Sequence, residues 1–348
     1  MSKNNSSHLS LESTLTRAWL RRGPLACALW PLSLLFRVLA AFRGLLFRVG
    51  VLQSGRLPVP VVVVGNIFIG GTGKTPLTIW LAEALLAAGM RPGVISRGHG
   101  GEGEAPRAVT LDADAAQVGD EPLLIARRTG VPVFVGRKRA EAGRALLAAH
   151  PEVNVLITDD GLQHYALARD VEIVLFDGRG VGNGWLLPAG PLREPPSRRR
   201  DFTVVNAPEI TPALARAVGG QPFRMALAGD TAEQLIDAGN QLPLTALAGQ
   251  RILAAAGIGN PGRFFAMLRG AGLSFQEMAL PDHHDFRDDP FANVDADVIL
   301  ITEKDAVKCG QLENLKHDPR LWVVPVSARI DAALAQQIVE KCRGCSTA

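Results

Sequence analysis

The chain has 348 residues, 47% hydrophobic and 20% charged, with a formal charge of +3. That is enough apolar sequence for a full core and enough length for two ordinary domains, which excludes a disordered or fibrous protein. The charge is uneven: up to Arg56 eight Lys and Arg stand against Glu12 alone, leaving 29 basic and 33 acidic residues for the remainder.

A basic start of this kind suits an anionic surface. With one Tyr and no basic run interleaved with aromatics, lipid fits better than nucleic acid, and no nucleic-acid partner is expected. From Gly23 to Phe36 fourteen residues carry no charge, and Arg37, Phe42, Arg43, Phe47 and Arg48 follow. The run is short of the roughly 20 apolar residues that span a bilayer, and no small-residue cleavage site follows it, so a secretory leader is not expected. On a helix from about residue 31 to 49, Leu35, Leu39, Phe42, Leu46 and Val49 share one face while Ser33, Arg37, Gly44 and Arg48 share the other. An interfacial helix with its cationic side toward headgroups is one reading; a helix packed on the protein's own core is the other.

Val59 to Val64 is a continuous apolar run, the pattern of a strand buried on both faces of a parallel sheet. Gly70, Gly71, Thr72, Gly73, Lys74 and Thr75 follow, and a helix with Pro76 in its first turn opens next. Strand, glycine-rich loop and helix together form a phosphate cradle: backbone N–H groups turn onto phosphate oxygens at a helix N-terminus, Lys74 reaches the β- and γ-phosphates, and the Thr75 hydroxyl holds Mg²⁺. The first glycine of the usual eight-residue pattern falls on Phe68, so the loop is a variant of its class.

Val153 to Thr158 predicts a second buried strand, ending in Asp159 and Asp160. Neighbouring residues on a strand point to opposite faces, so one carboxylate is expected on the metal and the other on water or supporting groups. Acids at the carboxyl end of a parallel strand sit where open α/β sheets bind ligands. Farther on, Gly257-Ile258-Gly259-Asn260-Pro261-Gly262 matches the G-x-G-x-x-G dinucleotide pattern, but no strand ending in an acid follows about twenty residues later, and a turn is the expectation. The four cysteines are too few for a disulfide framework and favour a reducing compartment; Cys342 and Cys345 have redox spacing but no strand before them, and read as incidental thiols.

Loop and carboxylates by themselves define only nucleotide hydrolysis or transfer. Further segments are more specific: Gly65-Asn66 with the loop, Ser96-Arg97-Gly98, Val118-Gly119-Asp120-Glu121-Pro122, Asp159-Asp160-Gly161-Leu162-Gln163-His164, Leu187 to Glu194, Gly257 to Pro261, Asp282-His283-His284 and Thr302 to Lys308. In this order they resemble the tetraacyldisaccharide 4'-kinase family, over most of the chain. The resemblance implies an ATP- and Mg²⁺-dependent kinase that phosphorylates the 4'-hydroxyl of an acylated glucosamine disaccharide 1-phosphate, a lipid A precursor. It also implies a place on the cytoplasmic face of the inner membrane of a Gram-negative bacterium, peripheral or monotopic, against an anionic membrane surface. Asp120 matches the family's acid that takes the sugar hydroxyl proton, and His283, or else His284, pairs with it. Gln163 and Arg193 match positions near the nucleotide; Glu194 joins Thr75, Asp159 and Asp160 around the metal. Without the resemblance, Asp120 reads as a helix cap and the two histidines as a solvated loop. The alternatives are a P-loop nucleotide-switch ATPase or GTPase acting with a protein partner and, more remotely, a dinucleotide-dependent oxidoreductase.

Strands near 59–64, 92–95, 131–135, 153–158 and 171–176 alternate with helices, predicting an α/β fold with a P-loop doubly wound parallel sheet. Strands near 203–206, 251–256, 298–302 and 322–326 predict a second, smaller α/β domain. The expected organisation is an N-terminal amphipathic membrane-associating segment over 1–56, a P-loop kinase domain over 57–210, and a smaller domain over 211–348 that completes the active-site cleft.

Overall fold

The computed structural model describes residues 17–98 and 105–345, so Lys3 and Glu12 of the basic start lie outside the described residues. The strands in chain order are β1 (Val61–Asn66), β2 (Pro92–Ser96), β3 (Arg107–Ala108), β4 (Val133–Val135), β5 (Val155–Asp159), β6 (Val171–Asp177), β7 (Phe202–Asn206) and β8 (Phe223–Ala228). They continue with β9 (Thr231–Gln234), β10 (Gln241–Pro243), β11 (Ile252–Ala256), β12 (Gln276–Ala279), β13 (Val298–Thr302), β14 (Leu321–Val324) and β15 (Ser327–Ile330). The chain forms two compact units, one from residues up to Lys74 with Asp160–Met225 and the residues from Ile330, the other from Thr75–Asp159 and Ala226–Arg329.

In the first unit β1, β6, β7 and β8 pair side by side and parallel, with Val62 opposite Val171 and Val204 opposite Phe223. Every residue of β1 is buried, which is why four consecutive valines serve there: a strand covered on both faces needs apolar side chains at both parities. In the second unit β5, β2 and β4 are parallel, with short β3 antiparallel on the edge. That unit also holds a six-stranded sheet in the order β10-β9-β14-β13-β11-β12, parallel from β14 to β12 and antiparallel toward β9 and β10. It carries its own core, Leu300, Ala254, Leu268 and Phe265 on one face and Ile299, Ile301, Phe286 and Phe291 on the other. The α/β fold with parallel strands and a further smaller sheet is therefore as expected, except that the strand near 203–206, expected in the smaller domain, is β7 and pairs with β6 in the sheet of β1.

The N-terminal helix α1 runs Pro24–Arg48, seven residues longer at its start than the sequence suggested. Pro24 occupies the first turn, where a missing N–H costs nothing, and the helix continues through Pro31. Its small and polar side faces the protein. Ser33 is buried, its Oγ donating to the Leu186 carbonyl at 2.8 Å and accepting from the Ala189 N–H at 2.9 Å. The large apolar side chains point outward: Leu35, Leu39 and Phe42 are 56%, 58% and 57% exposed. Beside α1, the Arg22 guanidinium lies 5.2 Å over the Trp185 ring, and Phe47 packs on Tyr165 with ring centroids 5.9 Å apart.

Candidate active site

The phosphate loop leaves β1 at Asn66, whose buried side-chain amide ties it together. Nδ2 lies 2.6 Å from the Phe68 carbonyl, 3.2 Å from that of Gly70 and 3.0 Å from Thr72 Oγ1. From the end of β7, Asn206 Nδ2 donates to the Thr72 carbonyl at 2.9 Å. A Cβ on Gly73, at φ 99°, would come within 2.6 Å of that nitrogen, so only glycine closes the turn there. Gly70 and Gly71 stand at the accessible rim. Phe68, where the usual pattern has glycine, is 2% exposed and packs against Gly182 and under the Arg179 guanidinium, 4.2 Å from the ring centroid. Its bulk is absorbed by the protein interior and the turn keeps its shape.

Helix α2, Lys74–Ala87, starts at the loop. Lys74 Nζ lies 3.4 Å from Asn66 Oδ1 and 3.8 Å from Asp160. Asp160 takes a left-handed backbone, φ 48°, and also meets Arg193 at 3.4 Å. Such a φ costs free energy in a residue other than glycine and marks a position held by its surroundings. Glu194 accepts from Gln163 Nε2 at 3.0 Å and from the Tyr165 hydroxyl at 2.8 Å, and pairs with Arg198. In the second unit, Asp159 is buried at the end of β5 and accepts from Thr78 Oγ1 at 3.1 Å, and Thr75 is buried on α2. Thr75, Asp159, Asp160 and Glu194 all offer oxygen, the donor a hard, octahedral cation such as Mg²⁺ requires. Arg139 is buried with its guanidinium on the Gly136 carbonyl, and Arg137 is exposed.

The second unit also joins Asp120 to His283. Asp120 opens the helix Asp120–Thr129 and is buried; one oxygen accepts from the Glu121 N–H at 3.0 Å, the other faces His283 Nδ1 at 3.1 Å. Lys308 and Lys304 bring their ammonium groups to 3.4 Å and 4.0 Å of the same oxygen. Burial would raise the Asp120 pKa, but the His283 hydrogen bond and the two lysines outweigh it and hold the carboxyl well below the usual carboxylate range. The same hydrogen bond raises the His283 pKa against the opposing effects of burial and Lys304. Burial likewise works against the Lys304 charge, yet Glu121, Asp120 and Asp282 raise its pKa, so it stays an ammonium. His284 is turned elsewhere: its Nδ1 accepts from the Phe286 N–H at 3.1 Å and its Nε2 faces Asp288 at 3.6 Å. The loop reaches this arrangement through left-handed backbones at His283 and Phe286, φ 61° and 60°.

The G-x-G-x-x-G match forms the turn between β11 and the helix Pro261–Gly270. A Cβ on Gly257 would lie 2.9 Å from Asp305 Oδ1 and 3.2 Å from His284 Cβ, and its N–H donates to Asp305 at 3.0 Å. The absent side chain makes room for protein. Asn206, Thr78 and Arg179 were missed in the sequence; Asn206 ends an apolar strand as Asp159 does, and the same carboxyl-end rule would have found it.

A glycine-and-lysine loop between a buried parallel strand and a helix, followed by acids at a second strand end, defines a P-loop phosphotransferase. A family model described as "Tetraacyldisaccharide-1-P 4'-kinase" (LpxK) matches residues 25–343, and the chain belongs to that family. It is 62% identical to the tetraacyldisaccharide 4'-kinase of Janthinobacterium sp. (strain Marseille), over 97% of this chain and 98% of the relative. The protein of the same name from Herminiimonas arsenicoxydans is 61% identical, over 97% and 98%. Among solved structures, the "apo" form LpxK from Aquifex aeolicus in complex with ATP matches with a TM-score of 0.75 and 29% identity, covering 91% of this chain and 99% of that one.

Proposed function

We propose that this chain uses ATP to phosphorylate the 4'-hydroxyl of a tetraacyldisaccharide 1-phosphate lipid A precursor. The observation that carries the reading is the Lys74 loop, braced by Asn66 and Asn206, in a member of this family. In this reading the backbone amides of Gly70, Gly71, Thr72 and Gly73 and the Lys74 ammonium bind the terminal phosphates, with Gln163 and Arg193 beside them. Thr75, Asp159, Asp160 and Glu194 would hold Mg²⁺, which when bound neutralises charge on the phosphate oxygens. Glu194 enters already paired with Arg198, and Asp160 with Lys74 and Arg193, so both carboxylates are held in place by cations.

The 4'-hydroxyl oxygen attacks the γ-phosphorus, the bond to ADP breaks, and the hydroxyl proton passes to the Asp120–His283 pair. Because His283, Lys304 and Lys308 stabilise the Asp120 anion, the carboxylate alone is a weak base, and the pair rests its proton on His283. We place 57–210 as the P-loop domain and 211–348 as the smaller α/β domain; the six-stranded sheet with its own core supports that division. The site of action is the cytoplasmic face of the inner membrane of a Gram-negative bacterium, and α1 meets its anionic lipid. Two features favour a helix lying on the membrane over one crossing it: Ser33, Phe47 and their neighbours pack on the protein, and Arg37 sits mid-helix, where hydrocarbon would exact a high cost.

Incubation of the full chain with labelled ATP, Mg²⁺ and a detergent-dispersed precursor tests the reading: label should appear on the lipid. ATP consumption without labelled lipid would overturn it.

A further inference from the structure

In the basic run Arg198-Arg199-Arg200 only Arg199 is exposed, and its two neighbours are half-buried. Arg198 turns inward to Glu194 and Glu172. Arg199 and Arg200, with Arg216 of the helix Pro212–Val218, line a cavity of about 440 Å³ closed by Gly219, Gly220 and Gln221. Arg200 donates only to neutral acceptors: Thr203 Oγ1 at 2.7 Å, the Pro196 carbonyl at 2.7 Å, the Arg198 carbonyl at 3.0 Å, and the Val218 carbonyl. Arg216 donates to the Pro212 carbonyl at 3.1 Å. Among the described residues no carboxylate forms an ion pair with Arg199, Arg200 or Arg216. The acid in the cavity wall, Asp201, is already engaged, by Lys341 Nζ at 2.8 Å and the Glu172 N–H at 2.8 Å. Three guanidinium groups therefore line this space without an ion-pair partner; separately, burial and the neighbouring Arg198 lower the Arg200 pKa.

Two further observations say what anion fits. The cavity shares Pro196 and Ser197 with a second one of about 230 Å³, lined by Trp30, Leu34 and Arg37 of α1 and by Trp185 and Leu186. A basic cavity thus adjoins one lined mainly by apolar side chains, part of them from α1. The basic chamber also lies before the first residues of β7 and β8, whereas the phosphate loop leaves the last residue of parallel β1. At about 3.3 Å per residue, a five-residue strand puts the chamber about 17 Å from the edge where phosphate transfer takes place. The anion bound there is not the phosphate being transferred.

We propose that this cavity binds the phosphodiester headgroup of an anionic glycerophospholipid of the bilayer, with an acyl chain in the adjoining apolar chamber. The inference rests on the reading of α1 as membrane-associated. The guanidinium groups of Arg199 and Arg216 bind the phosphate oxygens, and Arg200 fixes the chamber wall.

The test is co-sedimentation of the full chain with vesicles of phosphatidylcholine alone and with about one-third phosphatidylglycerol. Arg199→Gln/Arg216→Gln should lower the partition constant on the anionic vesicles roughly 25-fold, at about fivefold per arginine, and change it less than about twofold on phosphatidylcholine. Arg91→Gln/Arg144→Gln removes the same charge from exposed positions elsewhere and should have a much smaller effect. Equal losses for the two double variants would overturn the proposal, leaving only diffuse attraction. If the native chain binds neither vesicle, the membrane reading of α1 falls and the proposal with it. If it binds both equally and Arg199→Gln/Arg216→Gln changes nothing, the pocket alone falls. With detergent-dispersed acceptor free of anionic phospholipid, Arg199→Gln/Arg216→Gln should keep its kcat and KM. A tenfold rise in KM there would assign the pocket to the acceptor's own phosphate and overturn the bilayer lipid as occupant.

Discussion

Lys74 is held in the free loop by one neutral oxygen, Asn66 Oδ1, and one carboxylate, Asp160, at distances too long for strong bonds. The ammonium is thereby positioned without being used up. Lys74→Ala should lower kcat at least ~10²-fold while the chain still folds, checked by labelled-phosphate transfer beside a circular dichroism spectrum. Asn206→Ala removes a side-chain hydrogen bond that braces the loop, and a loss of about 1 kcal/mol in nucleotide affinity is expected by calorimetry. The Asp120–His283 pair makes a pH prediction with a definite sign. The base form of His283 is lost as pH falls through its raised pKa, so the acid limb of kcat/KM should have its midpoint above the ordinary 6.5. Asp120→Ala removes the cause of the rise: the rate should drop strongly and the residual acid limb move to lower pH. An acid limb that stays in place would detach His283 from the proton transfer.

At the scale of elements, α1 is inside-out relative to a helix of a water-soluble core: serine faces the body and leucine faces away. Ser33→Ala leaves the Ala189 N–H unpaired in a buried place, while the Leu186 carbonyl keeps the Gly190 N–H, and about 1–3 kcal/mol of stability should be lost in a chemical melt. Leu35→Ser/Leu39→Ser/Phe42→Ser touches no core. It should leave that melt unchanged while cutting vesicle partition on the order of 100-fold, read by flotation. The loop from His283 to Asp289 shows a different economy. Three non-glycine residues, His283, Phe286 and Asp289, hold left-handed backbones, and buried Phe286 anchors the turn that presents His283 to Asp120.

For the whole molecule, most of the parallel core was legible because its strands are largely apolar runs that a doubly covered sheet can bury; β1, β2, β5, β6, β11 and β13 all lie within two residues of expectation, whereas the parallel strand β8 was not foreseen. The short strands β3, β9, β10 and β12 were not. Thr231–Gln234 and Gln276–Ala279 have no apolar alternation and owe their conformation to pairing with β14 and β11. The phosphate loop was readable because its chemistry lies in eleven consecutive residues, from Gly65 to Thr75. The Asp120–His283 contact spans 163 residues, and choosing His283 over His284 required the backbone angles of the loop. Asn206 was open to the same carboxyl-end reading as Asp159, but its bond to the Thr72 carbonyl shows only once β7 is placed beside that loop.

The outward leucines of α1 carry a kinetic consequence. An enzyme whose apolar side chains are seated in lipid meets its acceptor by diffusion in two dimensions, so the concentration it senses is a mole fraction within the lipid phase. At fixed bulk acceptor, adding inert lipid or detergent should slow the reaction in proportion to the dilution of the surface, and raising enzyme and lipid together should not change the specific rate.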